Sequence, residues 1–186
     1  ESFLRQKIQI DMTVPRGKRA WKYIIQAKIR AQAARIYFTS LFGKTFLRSD
    51  DTNPINSFLN YGYIVLRFLV ARMVVSCGLN PSIGVFHSGL RNPFCLIDDL
   101  MEPLRPFVDY KVIENLTVIN SLILTPQIKK ELISIILMPV EFNSQKMELM
   151  NAVKLYILDY LKFISGKRKE ITIPVFDEEI NGSRSI

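Results

Sequence analysis

The residues best equipped for chemistry fall in one short stretch. His87, the only histidine, follows the Gly-bounded apolar segment Ile83-Gly84-Val85-Phe86, and Asp98, Asp99 and Glu102 come eleven to fifteen residues later in LIDDLMEP. Glu102 is three residues from Asp99 and four from Asp98, so a helix can bring it onto one face with either. One imidazole converging with one or two carboxylates suits a hard divalent cation, Mg²⁺ or Mn²⁺, and the imidazole favours Mn²⁺. Such an ion can polarise a phosphodiester and stabilise the charge that develops during displacement. Plainer uses exist for the same residues. A lone His is commonly a core residue, and an Asp-Asp pair at a helix start is commonly a cap and dipole device. Spacing leaves both open. Ser88, Cys77 and Cys95 have no second His to activate them, and phosphate-binding glycine loops of the Walker or dinucleotide type are absent. Two Cys without CxxC spacing and one His cannot complete a four-ligand zinc site.

The chain that must position these groups has 186 residues, 48% apolar and 23% charged, the balance of a globular protein with a real core. Its net charge of +8 is concentrated: residues 1–50 carry 11 Lys/Arg against 3 Asp/Glu, and the remainder is neutral. A basic stripe of this kind points to a polyanion, with nucleic acid first and an anionic membrane second. Phe58 to Leu79 has roughly the length of a bilayer span, but Arg67 and Arg72 near its middle would each cost roughly 2.5–3.5 kcal/mol there. A buried helix of a large core fits better. Two separated thiols and no apolar leader among the first residues are read as a cytoplasmic protein.

An all-α bundle with a central buried helix is the fold the pattern predicts. Residues 1–14 alternate loosely and read as a strand end or linker. A helix follows from Lys18 to about Phe42, with basic residues between its apolar positions. Asn56 or Ser57 should cap the long apolar helix, which stops at Cys77-Gly78. His87 sits in the next loop, Ser82 to Asn92. Phe94 to about Phe107 reads as a helix kinked by Pro103 and Pro106, with continuation over 107–117. Thr125-Pro126 opens a helix to about Leu137, and Asn143 or Ser144 opens the last, to Ile164. Residues 1–14, 15–166 and 167–186 are accordingly read as remnant or linker, helical domain and polar tail.

Three blocks carry a family likeness: AARIYFTSLFG (33–43), NSFLNYGYIVLRFLVARMVVSCGLNPSIGVFH (56–87) and NPFCLIDDLMEPLRPFVD (92–109). In this order and spacing they resemble the integrase subunit of CRISPR spacer acquisition, in the branch that accompanies single-effector (type II) systems. The segment Trp21-Lys22-Tyr23-Ile24-Ile25, with Ala27-Lys28-Ile29 and Gln32-Ala33, resembles the helix that opens that family's catalytic domain. The likeness covers roughly residues 16–110. It implies a helical catalytic domain, with the family's β-rich N-terminal domain mostly missing. It also implies antiviral defence by a metal-dependent nuclease that joins 3′-OH ends of foreign DNA to the CRISPR repeat by transesterification, using Mg²⁺ or Mn²⁺. The implied partners are double-stranded DNA with 3′-OH ends, CRISPR repeat DNA, a second copy of the chain and a small dimeric adaptation protein.

The family's His ligand carries over onto His87 in GVFH and its acidic ligand onto Glu102 in DLMEP, with Asp99 as a helper. Its Glu ligand does not carry over, because the place of the family's Glu-Gly reads Arg30-Ala31. Lys18, Arg19, Lys22, Lys28 and Arg30 are the expected phosphate contacts. The alternative is a non-catalytic DNA-binding scaffold that keeps the fold without one ligand. For the missing Glu, the expectation is that residues bearing Glu-Gly are left out between about Ile29 and Arg35. A Cα–Cα spacing well beyond the ordinary 3.80 Å would mark that place.

Overall fold

A computed structural model describes residues 1–12, 14–32, 42–43, 46–50, 52–87, 89, 91–118 and 123–177. In chain order its helices are α1 (Ser2–Ile10), α2 (Val14–Gln32), α3 (Pro54–Ser76), α4 (Cys95–Met101), α5 (Arg105–Val118), α6 (Pro126–Ile133) and α7 (Leu149–Ile164). Single 3₁₀ turns, Glu102–Leu104 and Ser134–Leu137, follow α4 and α6. The strands β1 (Pro139–Phe142), β2 (Gln145–Glu148) and β3 (Val175–Phe176) form an antiparallel sheet in the order β2-β1-β3.

The fold is mostly helical, so the all-α expectation holds only approximately. The sheet has a readable cause. Asn143 and Ser144, expected to open the last helix, instead adopt φ of 51° and 59°. Two consecutive positive-φ residues make a tight hairpin turn matched to strand twist, and α7 starts only at Leu149. The segment after Gly166, read as polar tail, buries Ile171 and pairs Val175 and Phe176 with β1. Residues 178–186 lie outside the described set. The N-terminal segment, read as strand end or linker, forms helix α1. Its short alternation also fits a helix, in which Arg5 and Gln9 share the face toward residues 77–83.

Helix α3 starts at Pro54 because Asn53 caps it, its side chain accepting the Ile55 N–H at 3.0 Å. The expected cap Asn56 is instead buried in the first turn. Its amide donates to the Leu47 and Asp50 carbonyls at 2.8 and 2.7 Å and its Oδ1 accepts from Arg48 at 2.9 Å. Phe58, Leu59, Leu66, Val70 and Val74 are fully packed against α4, α5, α6 and α7. At Gly62 an added Cβ would come within 2.5 Å of Val108 Cγ1, so the missing side chain lets α3 and α5 approach closely. The helix is not buried all round: Ile64, Phe68 and Val75 stay exposed on one face. By length and hydropathy alone α3 could span a bilayer, yet here it is the core helix of the bundle.

The prolines act as expected. Pro103 and Pro106 cannot donate N–H groups to a continuing α-helix, and the chain tightens into the 3₁₀ turn at Glu102 before resuming as α5. Helix α2 runs from Val14 through Gln32. Positions 33–35 of the expected break lie outside the described residues.

Candidate metal and nucleic-acid site

Two elements hold the His87 loop between them. On one side is α4, whose Asp99 side chain is fully buried. Its Oδ2 accepts the backbone N–H groups of Val85 at 2.5 Å and Phe86 at 2.9 Å. Its Oδ1 accepts the His87 N–H at 3.3 Å and meets His87 Nδ1 at 2.5 Å. A carboxylate taken from water is costly unless its lone pairs are satisfied, and these four contacts satisfy them. The cradle depends on Gly84. A Cβ there would lie 2.3 Å from the His87 carbonyl oxygen and 2.9 Å from Asp99 Oδ2, so only a residue without a side chain lets the loop close over the carboxylate. In a neutral imidazole that donates Nδ1–H to Asp99 the lone pair is on Nε2, the arrangement found in metal-ligating histidines.

His87 and Glu102 line one open cavity of about 530 Å³, together with Asn60, Tyr63, Ile64, Arg67, Asp98, Met101 and Arg105. The two residues expected to share an ion thus line the same cavity. Asp99 is not among the lining residues, and its oxygens are engaged by the loop. Asp98 faces the cavity but is occupied by Arg67 at 2.8 Å and the Asn92 amide at 2.9 Å. Glu102 Oε1 lies 3.3 Å from Arg105 Nε. Among the described residues no group of three His, Cys, Asp or Glu is placed to hold a metal.

Three arginines near the cavity were not among the site residues expected from the sequence. Arg67 extends over the Phe94 ring at 4.7 Å, Arg105 lies 4.8 Å from the Tyr63 ring centroid, and Arg48 lies 5.5 Å from it. A signal existed for Arg67, a cation amid an apolar helix that a soluble core would not tolerate without a partner or an opening. Nothing comparable marks Arg105. The hydroxyl of Tyr63 donates to Asp109. Burial pushes the Asp109 carboxyl up to about 7, against the lowering effect of the Tyr63 hydrogen bond and of Arg105 and Arg48.

That shift has a stability consequence. An acid whose folded pKa exceeds its unfolded value binds its proton more tightly when folded. The stabilisation is complete below about pH 4 and is lost as pH rises toward 7. It amounts to on the order of 1.4 kcal/mol for each unit of difference. Asp109→Asn is expected to flatten this part of the profile. Urea midpoints of both proteins between pH 4 and 8 check it, and parallel profiles would contradict it.

Of the expected phosphate contacts, Lys18, Arg19 and Lys22 are exposed on α2, while Ala20 and Ile24 of the same helix are completely buried. They do not line the cavity, but their helix adjoins it: Trp21 stacks on Phe86 at 4.5 Å and meets the His87 ring edge-on at 6.3 Å. Lys28 and Arg30 belong to α2, and their side chains lie outside the described residues.

A helical domain that presents a tethered imidazole and a glutamate in one cavity with Arg67 and Arg105, beside a basic helix, offers groups suited to a polyanion. Comparison with known proteins gives the family. The sequence model described as CRISPR associated protein Cas1 matches residues 27–134. The CRISPR-associated endonuclease Cas1 of Neisseria meningitidis serogroup C is 32% identical over 210 residues, taking in 90% of this chain and 67% of the relative. That of Saccharolobus solfataricus, Cas1 1, is 39% identical over 94 residues, 45% of this chain and 27% of the relative. The chain belongs to the Cas1 family.

Among solved structures, a casposase bound to integration product superposes with a TM-score of 0.66 at 17% identity, covering 91% of this chain and 70% of that one. A Cas1 protein from Thermotoga maritima gives 0.58 at 16% identity, covering 88% and 67%. At these identities both show the fold alone.

Proposed function

We propose that the chain is the helical catalytic portion of a DNA integrase of CRISPR adaptation, in which a 3′-hydroxyl of incoming DNA attacks a phosphodiester of the CRISPR repeat. The observation that carries this reading is the shared cavity of His87 and Glu102, with His87 held through Nδ1 by a buried Asp99. The donor set fits a divalent cation, one neutral imidazole nitrogen and one carboxylate, and His87 Nε2 and Glu102 would hold it. Bound there, Mg²⁺ or Mn²⁺ would supply Lewis-acid stabilisation of the charge developing on the phosphodiester.

The chain's own residues supply the rest. Asp99 fixes the His87 tautomer and ring orientation rather than binding the ion. Arg67 and Arg105 face the cavity and offset phosphate charge. Lys18, Arg19 and Lys22 track the duplex backbone, with Lys28 and Arg30 further along the same helix. A second copy of the chain, a small dimeric partner protein and the cytoplasm complete the setting this reading requires.

In this reading the third ligand lies on residues that this sequence leaves out between about Ile29 and Arg35, where Ala31, Gln32 and Ala33 offer no carboxylate. The Neisseria comparison spans 210 positions but uses only 90% of this 186-residue chain, about 167 residues, so roughly 40 positions have no counterpart here. A loop carrying Glu-Gly accounts for part of them. The second reading, a scaffold that binds DNA without joining it, is favoured by Arg30-Ala31 standing where the family has Glu-Gly. The gene sequence around Arg30 and a strand-joining assay decide between the readings. The integrase predicts covalent joining of a 3′-OH duplex to repeat DNA in Mn²⁺ and none in EDTA. The scaffold predicts binding without joining in either.

DNA binding makes its own prediction. If α2 contacts phosphates, log K falls linearly with log salt with a slope of about −0.9 per neutralised phosphate for duplex DNA. Replacing Lys18, Arg19 and Lys22 by Ala is expected to flatten the slope by about two to three units, equally for unrelated sequences. A titration between low and moderate salt measures this, and an unchanged slope would move the DNA to another face.

A further inference from the structure

The far side of the His87 loop is held by a residue remote in sequence. Gln9 of α1 is 2% exposed, unusual for a glutamine on the first helix of a chain. Its Nε2 donates to the Asn80 carbonyl at 2.9 Å and the Ile83 carbonyl at 2.6 Å, and its Oε1 accepts the Asn80 N–H at 2.9 Å. Three of the four hydrogen bonds that a side-chain amide can make are thus spent on two backbone positions. Arg5, one turn earlier, donates to the Cys77 carbonyl at 2.9 Å. The loop between them is short. Ile83 precedes Gly84, after which the three N–H groups of residues 85–87 turn onto Asp99. Gln9 therefore holds the loop at Asn80 and Ile83, Asp99 holds it at residues 85–87, and His87 is the last of the residues so held.

We propose that Gln9 is a positioning residue for His87. By fixing the Asn80 and Ile83 peptides it orients the N–H groups of residues 85–87 toward Asp99, and so fixes the imidazole. Among the described residues no side chain nearer in sequence does this: the Asn80 side chain is turned back to Ser82, with Oδ1 accepting the Ser82 N–H at 3.0 Å. The role of His87 as a ligand rests on the proposed function. The hold of Gln9 on the loop does not.

Gln9→Met keeps the length and bulk of the side chain and deletes the three hydrogen bonds. Thr125→Ala serves as a control, because Thr125 caps α6, contributes nothing to the cavity, and its loss destabilises by a cap's ordinary amount. Backbone hydrogen exchange of the 186-residue chain is followed in all three proteins without added metal. The expected result is that the amides of Val85, Phe86 and His87 exchange at least about tenfold faster in Gln9→Met and at the parent rate in Thr125→Ala. Unchanged protection in Gln9→Met, or equal acceleration in both variants, would overturn the proposal. Mn²⁺ titration of the same samples separates the two readings. Parent protein that takes up no Mn²⁺ contradicts the metal reading, and the exchange rates still decide the role of Gln9.

Discussion

Replacing His87 by Ala, or Glu102 by Gln, is expected to lower the rate of DNA strand joining by about a thousandfold, the effect of losing several kcal/mol of transition-state stabilisation. Duplex binding should stay within about twofold of the parent, because the proposed phosphate contacts on α2, Arg67 and Arg105 are all retained. The two variants are expected to fail by the same amount, and the double variant no worse, since one ion depends on both side chains. Joining measured under single-turnover conditions, beside a gel-shift titration, gives both quantities. Loss of binding in step with loss of joining would indicate that these residues serve DNA contact or folding instead. Glu102→Gln is the cleaner variant, since the amide preserves the shape of a side chain lying 3.3 Å from Arg105.

The second large effect concerns the carboxylate behind the histidine. Asp99→Ala removes the acceptor of three backbone N–H groups and of His87 Nδ1 at a fully buried position. Each buried donor left unsatisfied costs about 1–3 kcal/mol, so a total loss of several kcal/mol is expected unless water enters. Asp99→Asn keeps the size but presents an NH₂ group where an acceptor is needed. It should cost less in stability and still weaken Mn²⁺ binding by about 10–100-fold, the usual effect of disturbing a ligand's orienting partner. Gly84→Ala should resemble Asp99→Ala, because its Cβ would lie 2.3 Å from the His87 carbonyl oxygen. Urea unfolding with parallel Mn²⁺ titration tests all three. A stable Asp99→Ala protein with parent metal affinity would show that the cradle is incidental.

How far the sequence carried this picture depends on how local each signal is. His87 and Glu102 were legible because one loop and one helical turn bring them together, and the Pro103 and Pro106 kink followed from the missing N–H groups. The apolar run of α3 was legible as a core helix. Its open face at Ile64, Phe68 and Val75 was not, since composition does not say which neighbours will cover it. The role of Asp99 was only half legible: spacing allowed a second metal-facing carboxylate, whereas the fold turns it inward onto three backbone amides. The hairpin at Asn143-Ser144 was misread because both residues also favour helix caps, and positive φ at two adjacent residues leaves no distinctive mark in a single sequence. Gln9 was illegible for another reason. Its partners are backbone atoms more than seventy residues away, which no pattern of side chains announces.

The most direct measurement uses the fact that His87 is the only histidine of the chain. Its ring Cε1–H gives a single histidine signal in a ¹H–¹³C spectrum, and paramagnetic Mn²⁺ broadens protons close to where it binds. Substoichiometric Mn²⁺ is expected to remove the His87 signal while methyl signals of Ile128 and Leu132, in α6, remain sharp. In Glu102→Gln the same addition should leave His87 visible until much higher Mn²⁺. A His87 signal that stays sharp in the parent, or broadens equally in parent and Glu102→Gln, would contradict the claim that these two residues share one metal ion.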